Sequence, residues 1–281
     1  MRSICALILS FLVQANGFAS EAHPGDLDTE LMLATFKLSS PPVAATCFML
    51  TRPVPDSPAE TQFILVTAEH ALCQIKEDAA TVTFRKRQSA GGYSKLPAKL
   101  QIRQNGKALW TRHPNADVAV MYVTPPSDAA IAHVPVDLLA SDADLQRYEI
   151  HPGDTVKCIG FPHANQFQAN EAGFGVVRTG CIASFPLLPT KNTKTFYFDF
   201  NTFEGDSGGP VYLSENNRFF GNQTHEGRTR LILGVAVAQQ FLDEEFKTVY
   251  QTGKFRHQLG LGVVVHSTAI REAIDLLPRD P

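Results

Sequence analysis

Beyond its first twenty residues, the 281-residue sequence contains no long hydrophobic run. A helix that crosses a membrane needs about 20 consecutive apolar residues, so we expect no integral membrane segment there. Internal repeats and low-complexity tracts are missing as well. A chain of this length is expected to form one or two globular units with a sizeable core.

Neither sign of charge is in large excess, since the formal net charge is −3. The sequence therefore gives no general indication of nucleic-acid binding. The charge is distributed unevenly in one region: residues 85–112 hold eight basic side chains and no acidic one. These side chains are Arg85, Lys86, Arg87, Lys95, Lys99, Arg103, Lys107 and Arg112. Such a cluster is usually a solvated strand face, and the alternative is a site for an anionic surface.

Cysteine is scarce, with five residues in all. Zinc sites use cysteine and histidine ligands at short spacings, and only His70 and Cys73 stand at such a spacing. We therefore predict no metal site.

Residues 1–19 have the pattern of a secretory signal peptide. Arg2 supplies the positive start, residues 4–13 the apolar stretch, and Gly17 and Ala19 the small residues at the cleavage position. A buried N-terminal strand is the alternative. We predict a secreted or periplasmic protein that loses Cys5 with this segment.

The run Gly205-Asp206-Ser207-Gly208-Gly209-Pro210 places one serine between glycines. Glycine lets the backbone take conformations closed to other residues and lets a substrate approach it closely. A serine presented in this way is a candidate nucleophile, which needs a histidine base with a carboxylate behind it.

Two other segments supply such partners. His70 stands just past the apolar run Phe63-Ile64-Leu65, and Asp117 heads the apolar run Val118-Ala119-Val120-Met121. Taken alone, each is more often a surface histidine or a turn-forming aspartate. Their order and spacing, with the serine last, indicate a nucleophile and a base brought together from two halves of a fold.

In these three motifs the sequence resembles the trypsin-like (chymotrypsin-fold) serine proteases. The resemblance covers most of the chain after residue 19 and is specific only around Thr67-Ala68-Glu69-His70, Asp117-Val118-Ala119-Val120 and the glycine-flanked serine. It implies an all-β fold of two six-stranded antiparallel β-barrels, with the active site in the cleft between them and a C-terminal α-helix.

The apolar pattern agrees with that fold, because short apolar or alternating runs recur on both sides of a proline-rich break at Pro125 and Pro126. We predict an N-terminal barrel over residues 20–124, a linker over 125–150 and a C-terminal barrel over 151–281. The predicted strands are 31–38, 46–51, 62–67, 81–87, 98–104, 118–124, 155–161, 176–185, 195–200, 210–213, 230–238 and 262–266. Residues 267–277 have a helical period that Pro278 ends.

The resemblance also implies roles for individual residues. His70 would be the general base, Asp117 would orient it, and Ser207 would attack a peptide carbonyl without any cofactor. The backbone amides of Gly205 and Ser207 would form the oxyanion hole. The substrate pocket would be formed by Asn201, Thr202, Val237, Gln239 and Gly262. Because Asn201 stands where an aspartate would select lysine or arginine, we expect a small, uncharged substrate side chain. The alternative for Asn201 is a purely local role in backbone hydrogen bonding.

Four cysteines remain after residue 19, and an even count in an exported chain suggests disulfides, with three possible pairings. The family commonly has a bridge beside the catalytic histidine, which implies Cys47–Cys73. Cys158 and Cys181, both in the C-terminal half, would then form the second bridge.

The sequence has no Ile-Val-Gly-Gly-like segment near its start. A new N-terminus that pairs with Asp206 after proteolytic activation is therefore not expected, and Asp206 needs another partner. The predicted function is a secreted serine endopeptidase that acts on protein or peptide substrates. The alternatives are a catalytically silent protease-like binding module and a serine esterase.

Overall fold

The computed structural model describes residues 26–54, 57–164 and 166–278, without the side chains of 57–59. The predicted signal peptide lies outside the described residues. The fifteen strands of the described chain are β1 (Thr35–Ser40), β2 (Val43–Val54), β3 (Ser57–Thr67), β4 (Ala79–Arg87), β5 (Tyr93–Gln101), β6 (Arg103–Gln104), β7 (Lys107–Ala108), β8 (Thr111–Arg112), β9 (Ala119–Val123), β10 (Thr155–Gly160), β11 (Val176–Cys181), β12 (Thr195–Asp199), β13 (Pro210–Phe220), β14 (Gln223–Lys247) and β15 (Thr252–His266). The helices are α1 (Leu27–Ala34), α2 (Glu69–Gln74), α3 (Asp142–Arg147) and α4 (Ser267–Asp275), with a short 3₁₀ helix at Val136–Leu138.

The N-terminal sheet has seven antiparallel strands in the order β5-β4-β1-β2-β3-β9-β8, of which β8 is only two residues long. Alternate residues of β4, including Ala80, Val82 and Phe84, point to one side and are buried. They share a hydrophobic core with Cys47 and Met49 of β2. This alternation is the period-two pattern of a strand with one buried face.

The C-terminal sheet has six antiparallel strands in the order β11-β10-β13-β14-β15-β12. A β-bridge between Ile182, just after β11, and Phe198 in β12 joins the two ends of this sheet. Its core is separate from that of the first sheet and includes Val156, Phe196 and Leu213. The predicted fold class, two antiparallel barrels followed by a C-terminal helix, is confirmed, but the N-terminal sheet has seven strands instead of the predicted six, because the two-residue strand β8 pairs with the edge of β9.

A third hydrophobic cluster joins the two barrels. It contains Phe48 and Val66 from the N-terminal sheet and Tyr212 and Ile232 from the C-terminal sheet, and α1 and α4 add Leu27, Leu31, Ile270 and Ile274. The two sheets therefore meet through buried apolar side chains.

The predicted strand over residues 31–38 is partly wrong, since residues 31–34 belong to α1 and only the rest to β1. Asp26 caps α1, because its carboxylate accepts from the Asp28 amide at 3.3 Å and from the Thr29 hydroxyl at 2.6 Å. Leu27 and Leu31, one helical turn apart, are both fully buried.

Arg85 does not belong to the predicted basic surface, because its side chain is fully buried. Its guanidinium donates to the carbonyls of Met32, Leu33, Thr35 and Gly173, and burial lowers its pKa to about 9. Of the other basic residues in this region, Arg103 is half-buried and Lys86, Arg87, Lys95, Lys99, Lys107 and Arg112 are exposed. Arg85 instead ties the end of α1 and a loop of the C-terminal barrel to β4.

Neither predicted disulfide is present, and all four cysteines are free thiols. Cys47 is buried in the core of the N-terminal barrel, where its thiol lies 3.6 Å from the Phe36 carbonyl. Helix α2 turns Leu72 into that core and Cys73 towards solvent, where its thiol lies 3.2 Å from a Glu69 carboxylate oxygen. The two sulfurs therefore point into different environments.

The second predicted disulfide, Cys158–Cys181, is absent because of the register between β10 and β11. Cys181 stands opposite Thr155, and Cys158 opposite Arg178. Cys158 is thus three residues from the position opposite Cys181, on the other face of the sheet and about 10 Å along the strand. A disulfide needs Cα atoms within about 7 Å, so the even cysteine count was a misleading signal.

We expect acid to destabilise the fold through His266, which is 2% exposed at the junction of β15 and α4. Burial lowers the pKa of His266 to about 4. The unfolded chain, with a histidine pKa of about 6.5, therefore binds more protons between these values, and stability falls as the pH drops through this window. The full effect is about 3 kcal/mol of unfolding free energy. Urea unfolding at several pH values checks this, and His266→Gln should flatten the profile while His151→Gln, at an exposed position, should not.

Helices long and apolar enough to span a bilayer are not found among the described residues. The C-terminal sheet has two extensions that the sequence did not predict. Strand β13 continues to Phe220 and pairs with the start of β14 at Gln223, and β14 and β15 run well past the barrel as a second paired hairpin. Strands were predicted here only over 210–213, 230–238 and 262–266, inside the barrel.

Candidate active site

The N-terminal barrel positions His70 and Asp117 against each other. Asp117 Oδ2 lies 2.5 Å from His70 Nδ1, and Asp117 Oδ1 accepts from the His70 backbone amide at 2.9 Å. Strands β3 and β9 are neighbours in register, so the residues that follow Thr67 and precede Ala119 emerge at the same edge of the sheet. This pairing brings together two residues that are far apart in sequence.

Asp117 also completes the start of helix α2. The first amides of a helix lack partners within the helix, and the N-cap residue Ala68 has no side chain to supply one. The Asp117 carboxylate fills this role and holds His70 by both ring and backbone. Burial of Asp117 opposes ionisation, but the hydrogen bonds and charge of His70 outweigh it, so the pKa of Asp117 is below its usual value.

The Ser207 loop has a backbone conformation that only glycine can adopt at two positions. Gly205 has φ of 100° and Gly208 has φ of 93°, both in the left-handed region. A Cβ atom on Gly208 would lie 1.9 Å from the Thr46 carbonyl oxygen and 2.3 Å from Thr67 Oγ1. The loop therefore packs directly against β2 near its start and β3 at its end, close to the first turn of α2, which holds His70.

Thr46 of the N-terminal barrel holds this loop, and the sequence did not indicate it. Its amide donates to the Ser207 carbonyl at 2.8 Å, and its hydroxyl donates to the Gly205 carbonyl at 2.7 Å. The same hydroxyl accepts from the Phe161 amide at 3.2 Å. A buried threonine in an apolar strand has no distinguishing sequence signal, because its partners come from the other barrel.

Ser207 Oγ donates to the carbonyl of Val237 at 3.2 Å. Proton transfer to His70 requires the hydroxyl to rotate away from this carbonyl, and such bonds commonly tighten only when substrate binds. Within the part of the chain that the structure describes, the amides of Gly205 and Ser207 donate to no protein acceptor.

A cavity of about 140 Å³ that opens to solvent lies beside Ser207. It is lined by Thr202, Phe203, Glu204, Asp206, Ser207, Ala236, Val237, Ala238 and Gln239. Three of the five predicted pocket residues are among them. The other two lie outside it: Asn201 is exposed, and a Cβ atom on Gly262 would lie 2.3 Å from the Phe198 ring.

Asp206 has the partner that the sequence did not identify. Its carboxylate is 1% exposed and lies 2.5 Å from the guanidinium of Arg178 on β11, and its other oxygen accepts from the Phe203 amide at 2.7 Å. Burial raises the pKa of Asp206, and the Arg178 charge opposes that shift. This ion pair joins the Ser207 loop to β11. Arg178 therefore serves as the partner of Asp206, in place of an N-terminus created by proteolysis.

We expect Gly160→Ala to disrupt this anchor. A Cβ atom at position 160 would lie 2.4 Å from Asp206 Oδ1, so the carboxylate has to move and the Ser207 loop moves with it. Misplacement by about 1 Å costs about a hundred-fold in rate, which sets the expected loss of kcat/KM. Steady-state kinetics on folded variants checks this, with Arg178→Gln expected to act in the same direction. Full activity in both variants would show that the anchor does not position Ser207.

Two antiparallel barrels, a His-Asp pair on the first and a glycine-built serine loop on the second define the chymotrypsin-like class of double-barrel proteins. The family model described as Trypsin matches residues 59–240. The chain belongs to this family of trypsin-like serine proteases.

Comparison with curated proteins gives no match. Among solved structures, the chain is similar to the inactive form of a serine-to-alanine mutant of Rv3671c from M. tuberculosis H37Rv. The two share 13% sequence identity, the match covers 91% of each chain, and the TM-score is 0.45.

Proposed function

We propose that the protein is a secreted serine endopeptidase that cleaves peptide bonds with His70, Asp117 and Ser207 through an acyl-enzyme. The observation that carries this proposal is the 2.5 Å contact of His70 with Asp117 at the barrel edge onto which the Ser207 loop packs. In that arrangement His70 Nδ1 is committed to the carboxylate, so Nε2 is left to exchange a proton with the serine.

In the proposed first step, His70 takes the Ser207 proton while Oγ forms a bond with the substrate carbonyl carbon. His70 then returns the proton to the leaving amine as the C–N bond breaks. Asp117 holds the imidazole tautomer and stabilises the imidazolium. Water repeats the sequence to release the acid and restore Ser207.

The free amides of Gly205 and Ser207 support an oxyanion hole at this position. Donors that are already oriented stabilise the negative charge that develops on the carbonyl oxygen in the transition state. Only glycine fits at position 205 of this loop, since its φ is 100° and a Cβ atom there would lie 2.2 Å from the Phe161 carbonyl oxygen.

The cavity beside Ser207 favours small substrate side chains. Gln239 narrows it, and its side-chain oxygen is buried with no hydrogen-bond partner among the described residues. Thr202, which is 4% exposed, closes another side of the cavity. Its hydroxyl donates to the Ala238 carbonyl at 3.2 Å.

We therefore expect Gln239→Ala to widen the cavity. The ratio of kcat/KM for a phenylalanine substrate over an alanine substrate should rise about ten-fold, the scale at which pocket size discriminates apolar side chains. Paired peptides that differ only before the scissile bond measure this ratio. Gln240→Ala, at the next position of β14, is the control and should leave it unchanged; an equal change in both would contradict the assignment of Gln239.

Export and the domain boundaries are part of the proposal. The pattern of residues 1–19 predicts removal of the signal, so N-terminal sequencing of the protein recovered outside the cytoplasm should begin at Ser20. We propose 20–124 and 151–281 as the two barrel units, joined by 125–150, a stretch that holds the 3₁₀ helix and α3.

The test of function is incubation of the protein with a peptide library, with matched esters in parallel and mass spectrometry of the products. Peptide cleavage that requires Ser207 supports the endopeptidase. Ester turnover without peptide cleavage would favour the serine esterase. If neither peptides nor esters are turned over and a fluorophosphonate does not label the protein, the result would favour the catalytically silent binding module.

A further inference from the structure

Strand β14 continues far beyond the site with one edge unpaired. Its pairing with β13 ends at Val235, whereas its pairing with β15 continues through Lys247. Among the described residues, no strand pairs with the other edge of β14 from 237 to 247. An unpaired edge of this length presents a row of backbone donors and acceptors to another chain.

This free edge begins at Ser207. The amide of Gly208 donates to the Ala236 carbonyl at 2.7 Å, the Ala236 amide donates to the Gly209 carbonyl at 2.9 Å, and Ser207 Oγ donates to the Val237 carbonyl. The residues that line the cavity, 236–239, come next, and the hairpin follows directly. A polypeptide that adds to this edge at the cavity is therefore aimed along the hairpin.

We call the hairpin of residues 241–258 the arm. Its two faces differ in chemistry. One face carries cross-strand ion pairs, Asp243 with Arg256 at 2.7 Å and Glu245 with Lys254 at 2.6 Å. The other face carries the apolar side chains of Leu242, Phe246 and Phe255, of which Leu242 and Phe255 are more than half exposed. The same face also holds the ion pair of Glu244 with His257 at 2.9 Å, and Phe241 lies on the first face.

The apolar face is ordered by its own packing. Phe246 and Phe255 stack with ring centroids 4.7 Å apart. At the tip, Val249 and Tyr250 are 91% and 97% exposed. Large apolar side chains exposed beside an unpaired strand edge are typical of a surface that receives a partner.

Charge argues against a membrane as that partner. Residues 241–258 hold three acidic side chains, Asp243, Glu244 and Glu245, and three basic ones, Lys247, Lys254 and Arg256, so their net charge is zero with neutral histidine. Segments that lie on membrane surfaces are instead rich in lysine and arginine.

We infer that the arm is an extended binding site for the substrate polypeptide on the N-terminal side of the scissile bond; this inference rests on the proposed function. The substrate would add as an antiparallel strand to the free edge of β14, like every other strand pair of this sheet. Because β14 runs outward from Ser207, an antiparallel partner runs inward and presents its C-terminal end to Ser207.

This geometry defines the substrate. The arm begins about four residues after Val237, which lines the cavity, and its first strand continues for about seven residues. Each residue of this strand pairs with one substrate residue, so the arm would contact about seven substrate residues. That segment has to be extended and free of proline, with apolar side chains at alternate positions on the face of Leu242 and Phe255.

The experiment compares peptides that share one cleavage sequence and differ in length. Extension on the N-terminal side from about four to about twelve residues should raise kcat/KM of the wild-type enzyme about ten-fold or more, through main-chain hydrogen bonds and apolar contacts. Extension on the C-terminal side should give no comparable gain. N-methylation of alternate amides in the distal segment should remove the gain, because it removes the donors.

Variants locate the effect on the arm. Leu242→Glu and Phe255→Ser should remove the gain for long peptides and leave the short peptide unchanged. Asp243→Asn, on the opposite face, is the matched control and should keep the gain.

Each outcome decides between readings. Equal cleavage of short and long peptides overturns the inference alone, whereas no cleavage of any peptide overturns the proposed function. A gain that depends on enzyme concentration and disappears with Leu242→Glu would assign the arm to a second copy of this chain. If the arm variants fail to fold, the N-methylated series on the wild-type enzyme still decides.

Discussion

Ser207→Ala is expected to lower kcat by about a million-fold, the cost of losing the nucleophile in a serine protease triad. The alanine removes the Oγ that would form the acyl-enzyme and leaves His70 and Asp117 hydrogen-bonded to each other. Because Ser207 Oγ makes a single described hydrogen bond, to the Val237 carbonyl, the fold should keep its stability. Steady-state kinetics on the folded variant, with thermal unfolding alongside, measures both.

Ser214→Ala is the control for this prediction. Ser214 lies in β13 of the same barrel, without flanking glycines, and is partly buried like Ser207. It should keep full activity. Residual activity of Ser207→Ala above about one thousandth of wild type would show that another group supplies the nucleophile.

Asp117→Asn is expected to lower kcat by about ten thousand-fold. The amide oxygen can still accept from the His70 backbone and hold the start of α2, but the side chain no longer enforces the tautomer with the proton on Nδ1. The negative charge that stabilises the imidazolium is lost as well. The pKa of Asp117 lies below its usual value, so the wild-type carboxylate stays ionised through neutral and mildly acidic pH.

Asp128→Asn provides the matched control, because Asp128 is an exposed carboxylate that pairs with Lys86 and does not contact His70. It should change kcat by less than two-fold, the scale of a weak surface ion pair. If Asp117→Asn loses no more activity than this control, Asp117 serves only as the cap of helix α2.

The barrels and the three site motifs were predictable because their signals are local. Alternating apolar residues mark strands, and the glycines around Ser207 mark a turn that only glycine can adopt, as the φ values of Gly205 and Gly208 show. Helix α4 was predictable for the same reason, from its apolar period and the proline behind it.

Arg178 and Thr46 were not predictable, because each acts through a partner that the fold brings close. Nothing in the sequence of β11 marks Arg178 as the counter-ion of Asp206, and only the packing of the two barrels gives Thr46 its role. The disulfide prediction failed for a related reason: a cysteine count carries no register, and Cys158 and Cys181 lie on opposite faces of their sheet. The strand predicted over 31–38 was wrong only for residues 31–34, which belong to helix α1, capped by Asp26.

The most direct test of the central claim is to label the folded protein with a fluorophosphonate and map the adduct by peptide mass spectrometry. The account predicts a single phosphonylated residue, Ser207, with labelling lost in Ser207→Ala and strongly slowed in Asp117→Asn. An adduct on another serine, or labelling at an unchanged rate in Ser207→Ala, would contradict it.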